Sequence, residues 1–155
     1  MDAWLVSYAV ALAIILGAIA IIDVRTQRIP DVLSVALLAA GLGFQSRSGI
    51  ESLALQAGFG LGVFLIFLAV RQAYLSTTGI VGLGLGDVKM AGAAAIWFSP
   101  ALFPLFLLIA SSSALAFLFI TAPIRGHGSL SQRLPFGPFL ALGVAATFIL
   151  EHLLW

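Results

Sequence analysis

From Ala3 to Ile22 the chain runs without a charged residue, and about 20 consecutive apolar residues are what an α-helix needs to cross the hydrocarbon core of a bilayer. Inside lipid every backbone N–H and C=O of such a stretch must be paired internally, which leaves helix as its conformation. Asp2 stands where a secretory signal would carry Lys or Arg, and no small-x-small cleavage site follows. The stretch reads as a retained helix. Further apolar runs extend over Pro30–Phe44, Ser52–Val70, Gly79–Phe98, Pro100–Ile124 and Phe136–Leu154. They are continuously apolar, whereas the strands of a membrane β-barrel alternate. The second is short for a full crossing. Charged residues make up 8% and hydrophobic ones 62% of the chain, against about 25% charged in a soluble domain. The expected fold is all-α: a polytopic integral membrane protein of about six transmembrane helices, with residues 1–155 forming a single membrane-embedded domain.

Orientation follows from the basic residues. Arg25 and Arg28 separate the first two runs, Arg71 and Lys89 flank the third connection, and Arg125 and Arg133 lie in the fifth; Arg47 alone falls on the other side. The positive-inside rule then places both termini on the non-cytoplasmic side and the odd-numbered connections in the cytoplasm. Asp2, Glu51 and Glu151 fall at outer ends, where a solvated carboxylate needs no special role. Asp23, Asp31 and Asp87 fall at the cytoplasmic end.

An ionisable residue within a membrane segment is costly and marks a functional site by default. Asp23 closes the first run, where pairing with Arg25 or Arg28 is the plain structural reading. Asp87 lies recessed in the fourth, where the plain reading is an N-cap for a helix beginning near Val88. The two are expected at one depth. Two adjacent carboxylates do not both ionise cheaply, so they share a proton. One can then activate water as a general base while the other, protonated, polarises a peptide carbonyl. Other hydrolytic mechanisms lack parts. The chain has 0 cysteines, which excludes thiolate zinc sites and a cysteine nucleophile. His127 and His152 belong to opposite faces, no H-E-x-x-H is present, and Ser111–Ser113 sit mid-helix without a base.

Gly82, Gly84 and Gly86 precede Asp87 in the run GLGLGDVKM. They leave the approach to the carboxylate free of side chains and tolerate φ values other residues resist. An extended substrate peptide could lie along that bare backbone. Close helix packing is the alternative use of such glycines.

Residues 82–90 resemble the G-x-G-D-x-K motif of type IV prepilin peptidases, the GxGD membrane aspartic proteases of bacterial pilus and secretion systems. Asp23 to Asp31, DVRTQRIPD, resembles their second motif, an aspartate followed seven residues later by proline and then Asn or Asp. LPFGPFLALG, residues 134–143, resembles their P-F-G-P-x-L-A-x-G signature. The resemblance implies that Asp23 and Asp87 are the catalytic dyad. It implies removal of the short basic leader of a prepilin at the cytoplasmic face of the bacterial inner membrane. Gly84 and Gly86 carry over as motif glycines and Lys89 as the motif lysine. Lys89, two residues beyond Asp87, projects to another side of a regular helix. Pro30 and Asp31 match the end of the second motif, and Asp31 reads as first-turn helix charge or support for the site. Pro135 and Pro138 break or start the last helix, and Gly137 leaves room beside the site.

The chain lacks the cysteine-bearing loop of the larger family members, which also N-methylate the mature pilin. It resembles the short, peptidase-only form of tight-adherence (Tad, Flp-type) pilus systems, implying no methyltransferase activity, no zinc and no cofactor. Expected partners are the prepilin, membrane lipids and the pilus assembly machinery, not nucleic acid. Two other classes remain open on the residues alone: an ion-coupled transporter using Asp23 or Asp87, and a non-catalytic assembly subunit.

Overall fold

The computed structural model describes residues 2–125 and 135–152; His127, Arg133 and Leu134 lie outside them. Six α-helices are present among the described residues: α1 (Ala3–Thr26), α2 (Asp31–Gln45), α3 (Ile50–Thr78), α4 (Leu85–Ala94), α5 (Phe103–Arg125) and α6 (Gly137–His152). Short 3₁₀ turns precede α3 and α5. Among the described residues three stretches are long and apolar enough to cross a membrane: Ala3–Thr26, Ile50–Thr78 and Pro100–Thr121. At 1.5 Å per residue α1 and α3, of 24 and 29 residues, are about 36 and 43 Å long.

Local chemistry ends each helix. Gln27 takes a left-handed conformation (φ 52°) and its N–H closes on the Asp23 carbonyl, so α1 runs past Ile22 and carries Asp23 inside its last turn. Gly79 (φ 69°) does the same for α3 through the Leu75 carbonyl, eight residues beyond the expected end at Val70. Both are left-handed C-terminal caps. Pro30 caps the start of α2, where it needs no N–H, and its carbonyl accepts from Leu33 and Ser34.

The expected fourth span is the main departure. Gly79–Phe98 holds only the 10-residue helix α4, about 15 Å long, and the chain leaves helical geometry from Ala95 to Ser99. This segment is the centre of the molecule. Val88 and Met90 through Phe98 are all buried, with α4 packed between α2 and α3 and touching α6. The approach of α3 to α4 is close: a Cβ on Gly60 would meet the Gly92 carbonyl oxygen at 2.9 Å, and one on Gly92 would meet Phe64 Cβ at 2.8 Å. Trp97 stacks on Phe44 with ring centroids 5.6 Å apart and meets Phe148 edge-on.

Non-helical backbone at such depth must find partners for its carbonyls. Gln45 of α2 donates Nε2 to the Ile96 carbonyl at 2.9 Å. Gln56 of α3 donates to that of Phe98 at 2.8 Å. His152 of α6 lies 3.1 Å from the Trp97 carbonyl. The Ser99 N–H donates to both carboxylate oxygens of Glu151 at 3.0 Å. Glu151 is therefore a half-buried structural acceptor, not a free interfacial carboxylate.

Replacing Gln56 by Leu keeps the volume and strands the Phe98 carbonyl. The expected loss is about 1–3 kcal/mol, the cost of an unpaired buried acceptor, read as a lower denaturation midpoint in detergent micelles. A Gln56→Leu protein as stable as the native one would mean that the carbonyl has another partner.

Candidate active site

Asp23 is 4% exposed. Its Oδ2 accepts the Gly137 N–H at 2.8 Å. Gly137 opens α6, so this N–H is one of the helix's unpaired donors, and the carboxylate sits where the helix dipole favours negative charge. The contact admits only glycine: a Cβ at position 137 would stand 2.8 Å from Asp23 Oδ2 and 2.9 Å from its Cβ. The partner of Asp23 is thus backbone of α6; among the described residues no ion pair joins it to Arg25 or Arg28.

Asp87 is half-buried in the first turn of α4. The helix starts at Leu85, with Gly84 at the N-cap, so Asp87 is its third residue and not its cap. Its carboxylate folds back toward Gly84, the N-cap residue, in the manner of the reach-back half of a capping box. A Cβ at Gly84 would lie 2.7 Å from Asp87 Oδ2.

Both aspartates open onto one cavity of about 450 Å³, lined also by Gln27, Gly82, Leu83, Gly84, Pro135 and Phe136. The sequence placed them some sixty residues apart; packing of α1, α4 and the start of α6 brings them to one cavity. The arrangement offers two carboxylates, Asp23 held by the first N–H of α6 and Asp87 in the first turn of α4, around a space that can admit water and a chain segment. Among the described residues no group of three or more His, Cys, Asp or Glu is placed to hold a metal ion.

The glycines act through proximity, not through unusual φ. Among the described residues the positive-φ glycines are Gly49 and Gly79, so Gly82, Gly84 and Gly86 do not use the freedom expected of them. Gly82 lies under the Tyr74 ring, where an added Cβ would approach to 2.7 Å, and Gly86 abuts Ile29 at 3.0 Å. Only Gly84 borders the Asp87 carboxylate. Arg71 holds the same loop through Nε, which donates to the Leu83 carbonyl at 3.1 Å. The eight-residue overrun of α3 beyond Val70 is what carries Tyr74 to this loop.

Lys89 and Asp31 do not line the aspartate cavity. They pair with each other at 2.7 Å on the far side of α4, joining the starts of α2 and α4. Pro30 lies at the start of α2, and Pro138 in the first turn of α6, where proline is tolerated. Pro135 reaches the cavity wall. Sequence reasoning passed over Gln45, Gln56 and Tyr74, and used Arg71 for orientation alone. The signal for the glutamines was present: an amide within an apolar run must find a partner there.

The type IV leader peptidase family model matches residues 10–120. The chain is 34% identical over 139 residues to the "Prepilin leader peptidase/N-methyltransferase" of Burkholderia pseudomallei strain K96243, covering 90% of this chain and 45% of that protein. The Aeromonas hydrophila protein of the same name is 32% identical, over 90% and 48%. That of Escherichia coli K12 is 31% identical, over 88% and 59%. The chain spans about half the length of the curated relatives it matches. No solved structure matches it.

Gly137→Val drives a branched carbon and its two methyls into Asp23. The expected result is a protein that still inserts but is less stable by about 1–3 kcal/mol, as for other overpacked sites, read as a lower denaturation midpoint in detergent micelles. A native midpoint in Gly137→Val would show that the Asp23–Gly137 approach is looser than described.

Proposed function

The chain belongs to the type IV leader peptidase family, and from that premise we propose that it is a membrane aspartic endopeptidase that removes the short basic leader of prepilin-like proteins. Asp23 and Asp87 form the dyad. The observation that carries the reading is the shared cavity: two acids from remote parts of the chain line it, with Asp23 held by the first N–H of α6.

One ionised carboxylate takes a proton from water, whose oxygen adds to the scissile carbonyl carbon. The other, protonated, donates to the carbonyl oxygen as it becomes tetrahedral. Collapse re-forms the C=O, breaks the C–N bond and sends a proton to the leaving amine. The pair titrates as a unit, so acid and base are assigned to the pair and not to either residue. Gly84 and Pro135 line the cavity, Gly137 holds Asp23 at its edge, Gly86 and Pro138 set the starts of α4 and α6, and Pro30, Asp31 and Lys89 brace the site from behind α4.

Residues 1–155 form one bacterial inner-membrane domain of six passes, the fourth completed by the non-helical run after α4, with both termini outside and the dyad at the cytoplasmic face. The support is the basic residues: Arg25, Arg28, Arg71 and Lys89 gather at the end of the bundle that holds the aspartates, and Arg47 at the other. A leader kept in the cytoplasm by its own Lys and Arg, followed by an apolar helix in the bilayer, brings its scissile bond to that interface. Anionic lipids are the partner of the basic face, and the pilus assembly machinery supplies the substrate. Methyl transfer is not part of the proposal for these residues, whose sequence has no cysteine.

Co-expression with a prepilin tests the dyad. Asp23→Asn and Asp87→Asn are each expected to leave the precursor full length while the membrane protein accumulates normally. Normal processing in either variant would remove that residue from the mechanism. Intact mass of the mature pilin tests the second point: an unmethylated N-terminus is expected, and a methylated one produced by this chain alone would overturn it.

A further inference from the structure

A second cavity, of about 460 Å³, opens between α2, α3 and α4, on the opposite side of α4 from the aspartates. Its volume is within the range of about 300–1,000 Å³ typical of ligand sites. Its long walls are hydrocarbon: Leu38 and Leu42 of α2, Leu61 and Phe64 of α3, and Ile96. Leu38 and Leu61 are exposed large apolar side chains, so in a bilayer the groove opens sideways into acyl chains. Polarity is confined to one end, where Asp31, Ser34 and Lys89 line it. From Asp31 to Leu42 the groove follows about 16 Å of helix. A polar head and an apolar trough of that length describe an amphiphile.

The head has a specific chemistry. Lys89 and Asp31 are paired at 2.7 Å through one oxygen, Oδ1, with the Asp31 side chain 71% and the Lys89 side chain 31% exposed. The ammonium keeps donors for a phosphate, and Asp31 keeps Oδ2 for a cation. The pair is neutral overall. A purely anionic headgroup would meet the Asp31 charge unrelieved, and a quaternary ammonium could not donate to it. Between pair and trough lies Ser34, 4% exposed, whose hydroxyl has no hydrogen-bond partner. A buried unpaired hydroxyl is costly; Ser34 lines the groove, and rotation about its χ1 would bring the hydroxyl to a partner there. An acyl-ester carbonyl, the group that joins a phospholipid's head to its chains, would accept from it.

We propose that this groove binds one phospholipid with a phosphoethanolamine headgroup: phosphate on Lys89, primary ammonium on Asp31, ester carbonyl on the Ser34 hydroxyl and an acyl chain along α2 and α3. The site stands apart from the aspartate cavity and does not depend on the peptidase reading.

The test uses the full chain, extracted, washed in detergent and offered dioleoyl phosphatidylethanolamine, phosphatidylcholine or phosphatidylglycerol, with retained lipid measured by mass spectrometry. Phosphatidylethanolamine is expected to be retained in preference to the other two. Ser34→Ala, which removes the hydroxyl without adding bulk, is expected to retain it about fivefold less, the worth of one neutral hydrogen bond, and Leu38→Trp to lose it by filling the trough. Equal retention of the three lipids, or unchanged retention in Ser34→Ala, would overturn the proposal. A photo-reactive benzoylphenylalanine at Val35, an exposed lining residue whose replacement leaves Leu38 in place, activated in native membranes, separates the occupants: an adduct with the mass of a phospholipid supports the site, and capture of a polypeptide contradicts it.

Discussion

A helix that stops inside a membrane protein leaves carbonyls with nowhere to go, and this molecule is organised around solving that problem for α4. Its 10 residues cannot cross a bilayer, and the backbone from Ala95 to Ser99 is non-helical, with Ala95 to Phe98 buried. Gln45, Gln56, His152 and Glu151, from α2, α3 and α6, each supply a polar group to that run. Each unmet buried group would cost on the order of 1–3 kcal/mol. The same side chains that pair the backbone also fix the height and rotation of α4, because they grip its C-terminal extension from three directions.

The position of Asp87 follows from that grip. A short helix held at one end presents its N-terminal turn at a defined depth, facing α1 and α6. Asp23 is fixed independently, inside the last turn of α1 and against the first N–H of α6. Neither acid relies on a flexible side chain for its orientation. The two carboxylates are set without a shared ligand: the first N–H of α6 holds Asp23, and the first turn of α4 carries Asp87. Glycine at 84 and 137 is the steric consequence, since a Cβ at either position would occupy the space of the carboxylate it serves.

Much of this was legible in the sequence, for reasons that differ residue by residue. Uninterrupted apolar runs gave the helical class, and the scarcity of charge made Asp23 and Asp87 conspicuous. The pairing of Lys89 away from Asp87 followed from helical periodicity, although its partner Asp31 did not. The length of α4 was hidden because Ala95–Phe98 is as apolar as a helix interior; hydropathy reports burial, not hydrogen bonding. Glu151 was misread for a related reason. Its place near a helix end suggested solvent, whereas the acceptor was needed by a backbone N–H fifty residues away. The alternating glycines were noticed for flexibility, yet Gly82 and Gly86 serve contacts with Tyr74 and Ile29 that no local pattern announces.

The central claim is that α4 seats Asp87 beside Asp23 within one folded chain. Because the protein has no cysteine of its own, paired cysteines at positions 23 and 87 can be probed with a short bifunctional thiol reagent in native membranes. The account predicts rapid cross-linking within a single chain, lost when Gln45 and Gln56 are both replaced by Leu. Cross-links only between chains, or none under conditions where each single cysteine is labelled, would contradict it.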